Sequence, residues 1–251
     1  GDKIEINGGI IPATGGSGGG NALGGGHSGS GGIITVNGGT ILAKAHEDKA
    51  GLSISQNTKF VSGLDSSAIV MAESIGNGID LSGFNGIIKQ GSTYTVYGSA
   101  NLATNLEIRS GETMQIDAGK TLTISEGITL TNEGAIIVEN GGALVNKGTI
   151  DGSGNVLVDT YYLNTDNETT DQQANLVNTG STTWTGSDPD GGWYVVQGEV
   201  DINSRVNVSG TVNLILADGC NLKINGGINV SSGNSLTIYG QDEGTGALTA
   251  T

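Results

Sequence analysis

Cysteine occurs once in the 251 residues, at Cys220. One thiol forms no intrachain disulfide and no CxxC metal knot, and a lone cysteine reads as a small buried hydrophobe rather than a nucleophile. Proline occurs twice, which excludes collagen and polyproline linkers. Ten residues are aromatic and 35% are apolar, too few for a thick globular core. Cations are equally scarce: ten Lys and Arg face 25 Asp and Glu, the net charge is −15, and the only arginines are Arg109 and Arg205. That balance speaks against nucleic acid, which requires clustered cations, and against anionic membrane surfaces. No apolar run reaches the length of a membrane-spanning helix. The two histidines, His27 and His46, stand nineteen positions apart, and His27 has no ligand-forming neighbour at metal spacing, so no zinc site is expected.

Glycine is what the chain has in excess, 46 residues, more than twice the usual share. The apolar residues are nevertheless patterned. IEINGGIIPA (Ile4 to Ala13) and ITVNGGTILA (Ile34 to Ala43) align without a gap, thirty positions apart, and LKINGGINVS (Leu222 to Ser231) is a third copy. Between them runs a looser series with apolar pairs at Leu106/Ile108, Met114/Ile116, Leu122/Ile124, Ile128/Leu130, Ile136/Val138, Leu144, Ile150 and Val156/Val158. Its step is close to eight residues.

Two or three alternating positions make a short strand with one face inward. Gly, Asn and Asp supply the positive φ that a sharp corner requires. Three such steps close a coil of roughly two dozen residues, within the solenoid range. Coils stacked at about 4.8 Å place Ile on Val on Leu in a narrow cylinder. The chain therefore predicts an all-β fold, a right-handed parallel β-helix with coils of roughly 20–30 residues. A sandwich is disfavoured because NGG recurs at equivalent places instead of closing hairpins. Ile69 to Ile75 reads as a strand rather than a brief helix. One β-helical domain is expected over residues 1–251, cut from a longer array because neither end shows a polar cap. The rhythm breaks at 159–197, where glycine thins and Tyr161, Tyr162, Trp184, Trp193 and Tyr194 gather. This segment is expected to be an irregular insertion, and long excursions often carry function.

The NGG copies, together with Ala22-Leu23-Gly24-Gly25-Gly26 and Gly210 to Gln241, resemble the glycine-rich repeat surface proteins of gut Firmicutes. The middle series is similar to coils of adhesins with pectate-lyase-like β-helices. The resemblance covers about four-fifths of the chain and misses 159–197. It implies a secreted or cell-surface location and an adhesin-like role; fold alone does not settle activity.

Three chemistries compete for these residues. A Ca²⁺-dependent polysaccharide lyase needs acidic ligands and a nearby base, for which Glu107, Arg109, Glu112 and Asp117, or Asp201 with Arg205, are the candidates; a solvated charge pair is the plainer reading of each set. Calcium has weak candidates in Asp188 and Asp190 of SDPDGG, and the acidic loop NTDNETTD (Asn164 to Asp171) offers further oxygens, but neither has EF-hand spacing. The tract Gly15 to Gly32 lacks the aspartates of a calcium β-roll. No resident cofactor is expected. Sugar contact suits Tyr161, Tyr162 and Trp184, whose rings could stack on pyranose faces beside Asn, Asp and Gln. Trp193 and Tyr194 lead into a strand and read as core; packing of the whole cluster as a satellite core is the competing reading. The expectation is a non-catalytic adhesive segment with a glycan or host surface as partner. A purely structural spacer is the alternative, and a lyase the second alternative.

Overall fold

A computed structural model describes residues 3–24, 31–46, 53–186 and 192–251. Among these residues are 27 strands and no helix, and nearly all the strand pairs are parallel. The chain is the expected all-β parallel solenoid. It comprises two compact units, Gly1–Gly154 and Asn155–Thr251.

In the first unit the thirty-residue repeat becomes a stack. Lys3–Ile6 pairs with Ile33–Val36 so that Ile4 lies beside Ile34, and Ile10–Thr14 pairs with Gly38–Lys44 so that Ile11 lies beside Ile41. Both registers equal the sequence offset, which is why the two copies align without a gap. Lys59–Val61 and Ser67–Ala72 continue the two walls, and single bridges at Leu23, Ile54 and Ile75 form a third. Inward side chains Ile34, Ile41, Ile54, Phe60 and Val70 are buried, each worth about 1.5–3 kcal/mol against exposure. The NGG motif has its own stacking role, because the Asn37 side-chain amide donates to the Asn7 side-chain oxygen at 2.8 Å. Ile69 lies within a strand, as its pattern predicts.

The series then reverses. Gly86–Gln90 and Thr93–Tyr97 form an antiparallel hairpin, with Ile88 opposite Thr95, Lys89 opposite Tyr94 and Ile87 opposite Val96. Cross-strand partners share a face. Ile88 belongs with Ile41 and Val70 in the first core. Tyr94 instead lines up with the buried Met114 and Ile136 of the following coils. The inside of the solenoid therefore moves from one face of this sheet to the other at the hairpin. Chain direction and core side reverse together, so the sense of winding is unchanged. Ser67–Ala72 and Gly86–Gln90 are consequently buried on both faces, with Ile69 and Ile87 as buried as Val70 and Ile88.

Beyond the hairpin the eight-residue step forms three walls. Thr93–Tyr97, Thr113–Ile116 and Ala135–Val138 make the first wall. Ser99–Leu102, Thr121–Ile124 and Ala143–Asn146 make the second. Leu106–Ile108, Thr129–Asn132 and Thr149–Asp151 make the third. In the second wall Ser99, Thr121 and Ala143 stack at intervals of 22 residues (121 − 99 and 143 − 121).

In the second unit Thr183–Gly186, Gly192–Val196, Glu199–Ile202, Val206–Leu216, Asn221–Ile224, Ile228–Val230, Ser235–Gly240 and Ala247–Ala250 build further coils. Val196, Ile202, Val208, Leu214, Leu222 and Ile224 fill their interior. The third NGG copy repeats the amide stack, Asn225 donating to Asn203 at 2.8 Å. The stretch 159–197, expected to be irregular, is mostly strand. Asn155–Leu163 and Thr169–Leu176 form an antiparallel hairpin, and Thr183–Gly186 and Gly192–Val196 then lie in register against Val206–Leu216. Polar side chains on the hairpin obscured its strand character in the sequence.

Corners differ in how much room they leave. Gly39 has φ +89° and a Cβ there would lie 2.5 Å from the Gly9 carbonyl oxygen of the neighbouring coil, whereas Gly127 has φ +75° and open space. Gly127→Ala should cost only backbone strain, about 1 kcal/mol, and Gly39→Ala about 2–4 kcal/mol because the neighbouring coil must also move. Denaturant midpoints of the two variants check the order, and equal losses would refute it.

Candidate functional site

The candidate surface is built on a sheet of the second unit with two unlike faces. Alternation along Gly192–Val196 sends Tyr194 and Val196 toward the solenoid core, where they join Val212, Leu214 and Leu236. Trp193 and Val195 take the opposite face, in line with Asn213 and Ile215, and Ile215 lies beside Tyr239 of Ser235–Gly240. Val195 and Ile215 are fully buried although they point away from the core. The tip of the Asn155–Leu163 strand packs on this same face. Tyr162 sits 4.7 Å from Trp193 and 4.6 Å from Tyr239, centroid to centroid, and Trp193 stacks on Tyr239 at 5.3 Å. The three rings form one partly exposed cluster on the outer face.

Polar contacts pin the hairpin in that position. The Gln241 amide donates to the Tyr161 carbonyl at 3.0 Å and to the Thr160 hydroxyl at 3.2 Å. The Tyr161 hydroxyl donates to the Asp242 carboxylate. That bond, with the nearby charges of Asp242, Asp218 and Glu243, pushes the Tyr161 phenol up to about 12 and holds Asp242 below the usual carboxylate range. Asp218 fixes the adjoining turn by accepting the Glu243 backbone N–H at 3.0 Å.

The residues read from the sequence as sugar contacts divide here. Tyr162 is in the cluster and Tyr161 is beside it, tied to Asp242. Trp184 is elsewhere: it is 0% exposed and packed in the solenoid core against Tyr194, 5.8 Å away. The parallel register of Thr183–Gly186 with Val206–Leu216 pairs Trp184 with the inward Val208, so alternation turns the indole inside. Trp193, read as core, and Tyr239, not singled out, are the rings the sequence reading missed. The signal for Tyr239 was the 24-residue repeat that sets Thr211–Leu216 beside Ser235–Gly240 and places Tyr239 against Ile215.

Asp188 and Asp190 lie outside the described residues, as does His27. Among the described residues no three His, Cys, Asp or Glu side chains gather as metal ligands. Cys220 is buried, and burial pushes its thiol up, the opposite of an activated nucleophile.

The lyase candidates are otherwise engaged. Glu107 and Arg109 form an exposed ion pair at 3.4 Å. Glu112 pairs with Lys89 and accepts from the Arg109 backbone N–H at 2.9 Å and the Tyr94 hydroxyl at 3.3 Å. Lys89 also lies 4.8 Å over the Tyr94 ring. Burial works against both charges, but the pairing outweighs it, leaving Glu112 below and Lys89 above their ordinary values. A lysine held in its charged form is poorly suited to abstract a proton. Its position across from Tyr94 makes the pair a clamp on the hairpin at which the core changes sides. Arg205 donates to the Gly226 carbonyl at 2.8 Å, and Asp201 lies beside Lys223.

Comparison of the chain with protein-family models, with curated proteins and with solved structures finds no match.

Trp184→Ala should destabilise the protein by about 3–5 kcal/mol through loss of core packing, measured by chemical denaturation, with little loss contradicting the buried placement. Stability from the Lys89–Glu112 pair is present at neutral pH. It should fall as pH drops below the carboxylate range through the depressed pKa of Glu112, and again as pH rises past the ordinary lysine range through the raised pKa of Lys89. Glu112→Gln should flatten the acid limb of a stability–pH curve, and an unchanged limb would exclude the clamp.

Proposed function

We propose that the chain is a non-catalytic, extracellular β-solenoid segment that serves adhesion and contacts carbohydrate through Tyr162, Trp193 and Tyr239. The observation that carries this reading is the partly exposed three-ring cluster on an outer sheet face. Apolar rings on a rigid, flat support suit the C–H faces of pyranose sugars, and hydroxyls and amides nearby suit their polar edges. Thr237 lies on the same sheet row as Asn213 and Trp193. A bacterial cell-surface location, inferred from the glycine-rich repeats, agrees with an acidic exterior that keeps a long β structure soluble.

A spacer without ligand is the second reading, favoured by the way the rings also pack on one another. A glycan array separates the two, probed with the protein and with Trp193→Ala and Tyr239→Ala after circular dichroism confirms their fold. A defined carbohydrate should bind, with a loss of about tenfold in either variant, the size of one stacking contact. Undiminished binding by both variants would move the site elsewhere. An empty array would leave the spacer.

A further inference from the structure

The polar tips of the three rings are unspent. Tyr94, Tyr161 and Tyr194 each place their hydroxyl on a partner in the protein. Among the described residues the hydroxyls of Tyr162 and Tyr239 and the indole N–H of Trp193 have no hydrogen-bond partner, and none of them is closed off from solvent. The side chains that share this face are neutral. Along Val206–Leu216 they are Thr211, Asn213 and Ile215, and beside them along Ser235–Gly240 are Ser235, Thr237 and Tyr239. On the hairpin, Thr160, Thr170 and Gln172 share the side of Tyr162, whereas alternation turns Asp159, Tyr161 and Asp171 to the other side. Asp218, Asp242 and Glu243 act on the Tyr161 hydroxyl. Arg205 is directed to the Gly226 carbonyl, and Lys223 is in the separate sheet of Glu199–Ile202, Asn221–Ile224 and Ala247–Ala250.

Resting on the carbohydrate reading above, we infer that the ligand is an uncharged oligosaccharide, whose ring faces meet the aromatic cluster and whose hydroxyls bond the free tips of Tyr162, Trp193 and Tyr239. A ligand that displaces water from these tips has to replace the lost hydrogen bonds. A sugar hydroxyl both donates and accepts, which suits two phenols and an indole N–H. A carboxylate or ammonium held against the same rings would shed its water with no opposite charge beside it among the described residues, at a cost in affinity. Nor do the rings form a cage for a cation, since their centroids are 4.6, 4.7 and 5.3 Å apart and the faces are already in contact. Thr211, Ser235 and Thr237 are exposed and continue the face away from the rings. Ser235 to Tyr239 spans roughly 13 Å at ~3.3 Å per residue, longer than one sugar ring, so the surface suits a chain of sugars over a monosaccharide.

The test uses the whole chain and three hexamers, cellohexaose, a glucosamine hexamer and a hexagalacturonate. Titrations run at about pH 5.5, above the ordinary carboxylate range. Cellohexaose should bind about tenfold more tightly than either charged hexamer, the scale of one charge left unpaired. Its affinity should be the same at about 0.05 M and about 0.5 M salt. Tyr162→Phe combined with Tyr239→Phe keeps both rings and removes their hydroxyls. This variant should bind cellohexaose about tenfold more weakly, the scale of two hydrogen bonds, with an unchanged denaturant midpoint. Undiminished affinity in the variant, or a charged hexamer that binds as tightly as cellohexaose, would overturn the inference and leave carbohydrate binding standing. If no hexamer binds, the glycan array decides. Hits among neutral glycans support the inference, hits confined to uronic, sialic or amino sugars overturn it alone, and an empty array removes the carbohydrate reading with it.

Discussion

The ladder of backbone hydrogen bonds between one coil and the next is the constraint on which this structure depends. With few aromatics and little apolar mass, no coil has enough buried surface to hold its shape alone. A coil becomes stable when its N–H and C=O groups meet those of its neighbours and its two or three inward side chains stack on theirs. Stability is then a sum of nearest-neighbour contributions. This explains the tolerance for glycine. A flexible corner costs conformational entropy on folding, but each corner separates strands that are satisfied along their length by the coils on either side. The amide stacks of Asn7 with Asn37 and of Asn203 with Asn225 extend the ladder into side chains at the corners themselves.

The parts of the fold that repeat were legible in the sequence. Ile4 and Ile34 are thirty residues apart in sequence and adjacent in space because the register between coils equals the period of the pattern. The hairpins were not legible, since each occurs where the repetition stops. A physical signal was nonetheless present. A strand with core on one side alternates, whereas a strand buried on both faces reads as a continuous apolar run. The runs Ala68 to Ala72 and Ile87 to Ile88 have that form, and they occupy the sheet through which the core changes sides. Val212, Asn213, Leu214 and Ile215 are likewise buried without alternation, with the polar Asn213 interrupting the apolar run, on the strand beneath the aromatic cluster.

The same physics explains why the site was only half legible. Tyr161 and Tyr162 were conspicuous as a pair, and the hairpin does bring Tyr162 to the surface cluster. Trp184 was conspicuous for the same reasons of type and setting, yet its parity along a strand paired with Val206–Leu216 sends it inward. Parity is a one-residue property, and composition over a forty-residue window does not resolve it. Trp193 and Tyr194 are neighbours in sequence and lie on opposite faces for that reason. Tyr239 is 77 residues from Tyr162 (239 − 162) and meets it only because the hairpin folds over the outer face of the sheet.

A regular coil presents mostly short polar side chains outward, and its apolar residues point inward by construction. For such a fold to offer a sizeable apolar surface to a partner, some outward positions must be apolar and must be protected from simply collapsing onto another copy. The second unit meets both requirements. Val195 and Ile215 are buried on the outward face, three rings stay in part at the surface where Tyr162 of the hairpin meets Trp193 and Tyr239, and the chain's net charge of −15 discourages self-association. The hairpin of the first unit has no comparable outcome. Its Ile87, and Ile69 beside it on Ser67–Ala72, are buried on the face that turns to the next core, and its Lys89 is closed in an ion pair with Glu112. The same device, an antiparallel turn in a parallel stack, redirects the core in both units: Val158 and Ala174 are buried on the sheet face that Val195 shares, whereas Tyr194 and Val196 turn to the opposite side, and in the second unit the hairpin also sets Tyr162 against Trp193 and Tyr239.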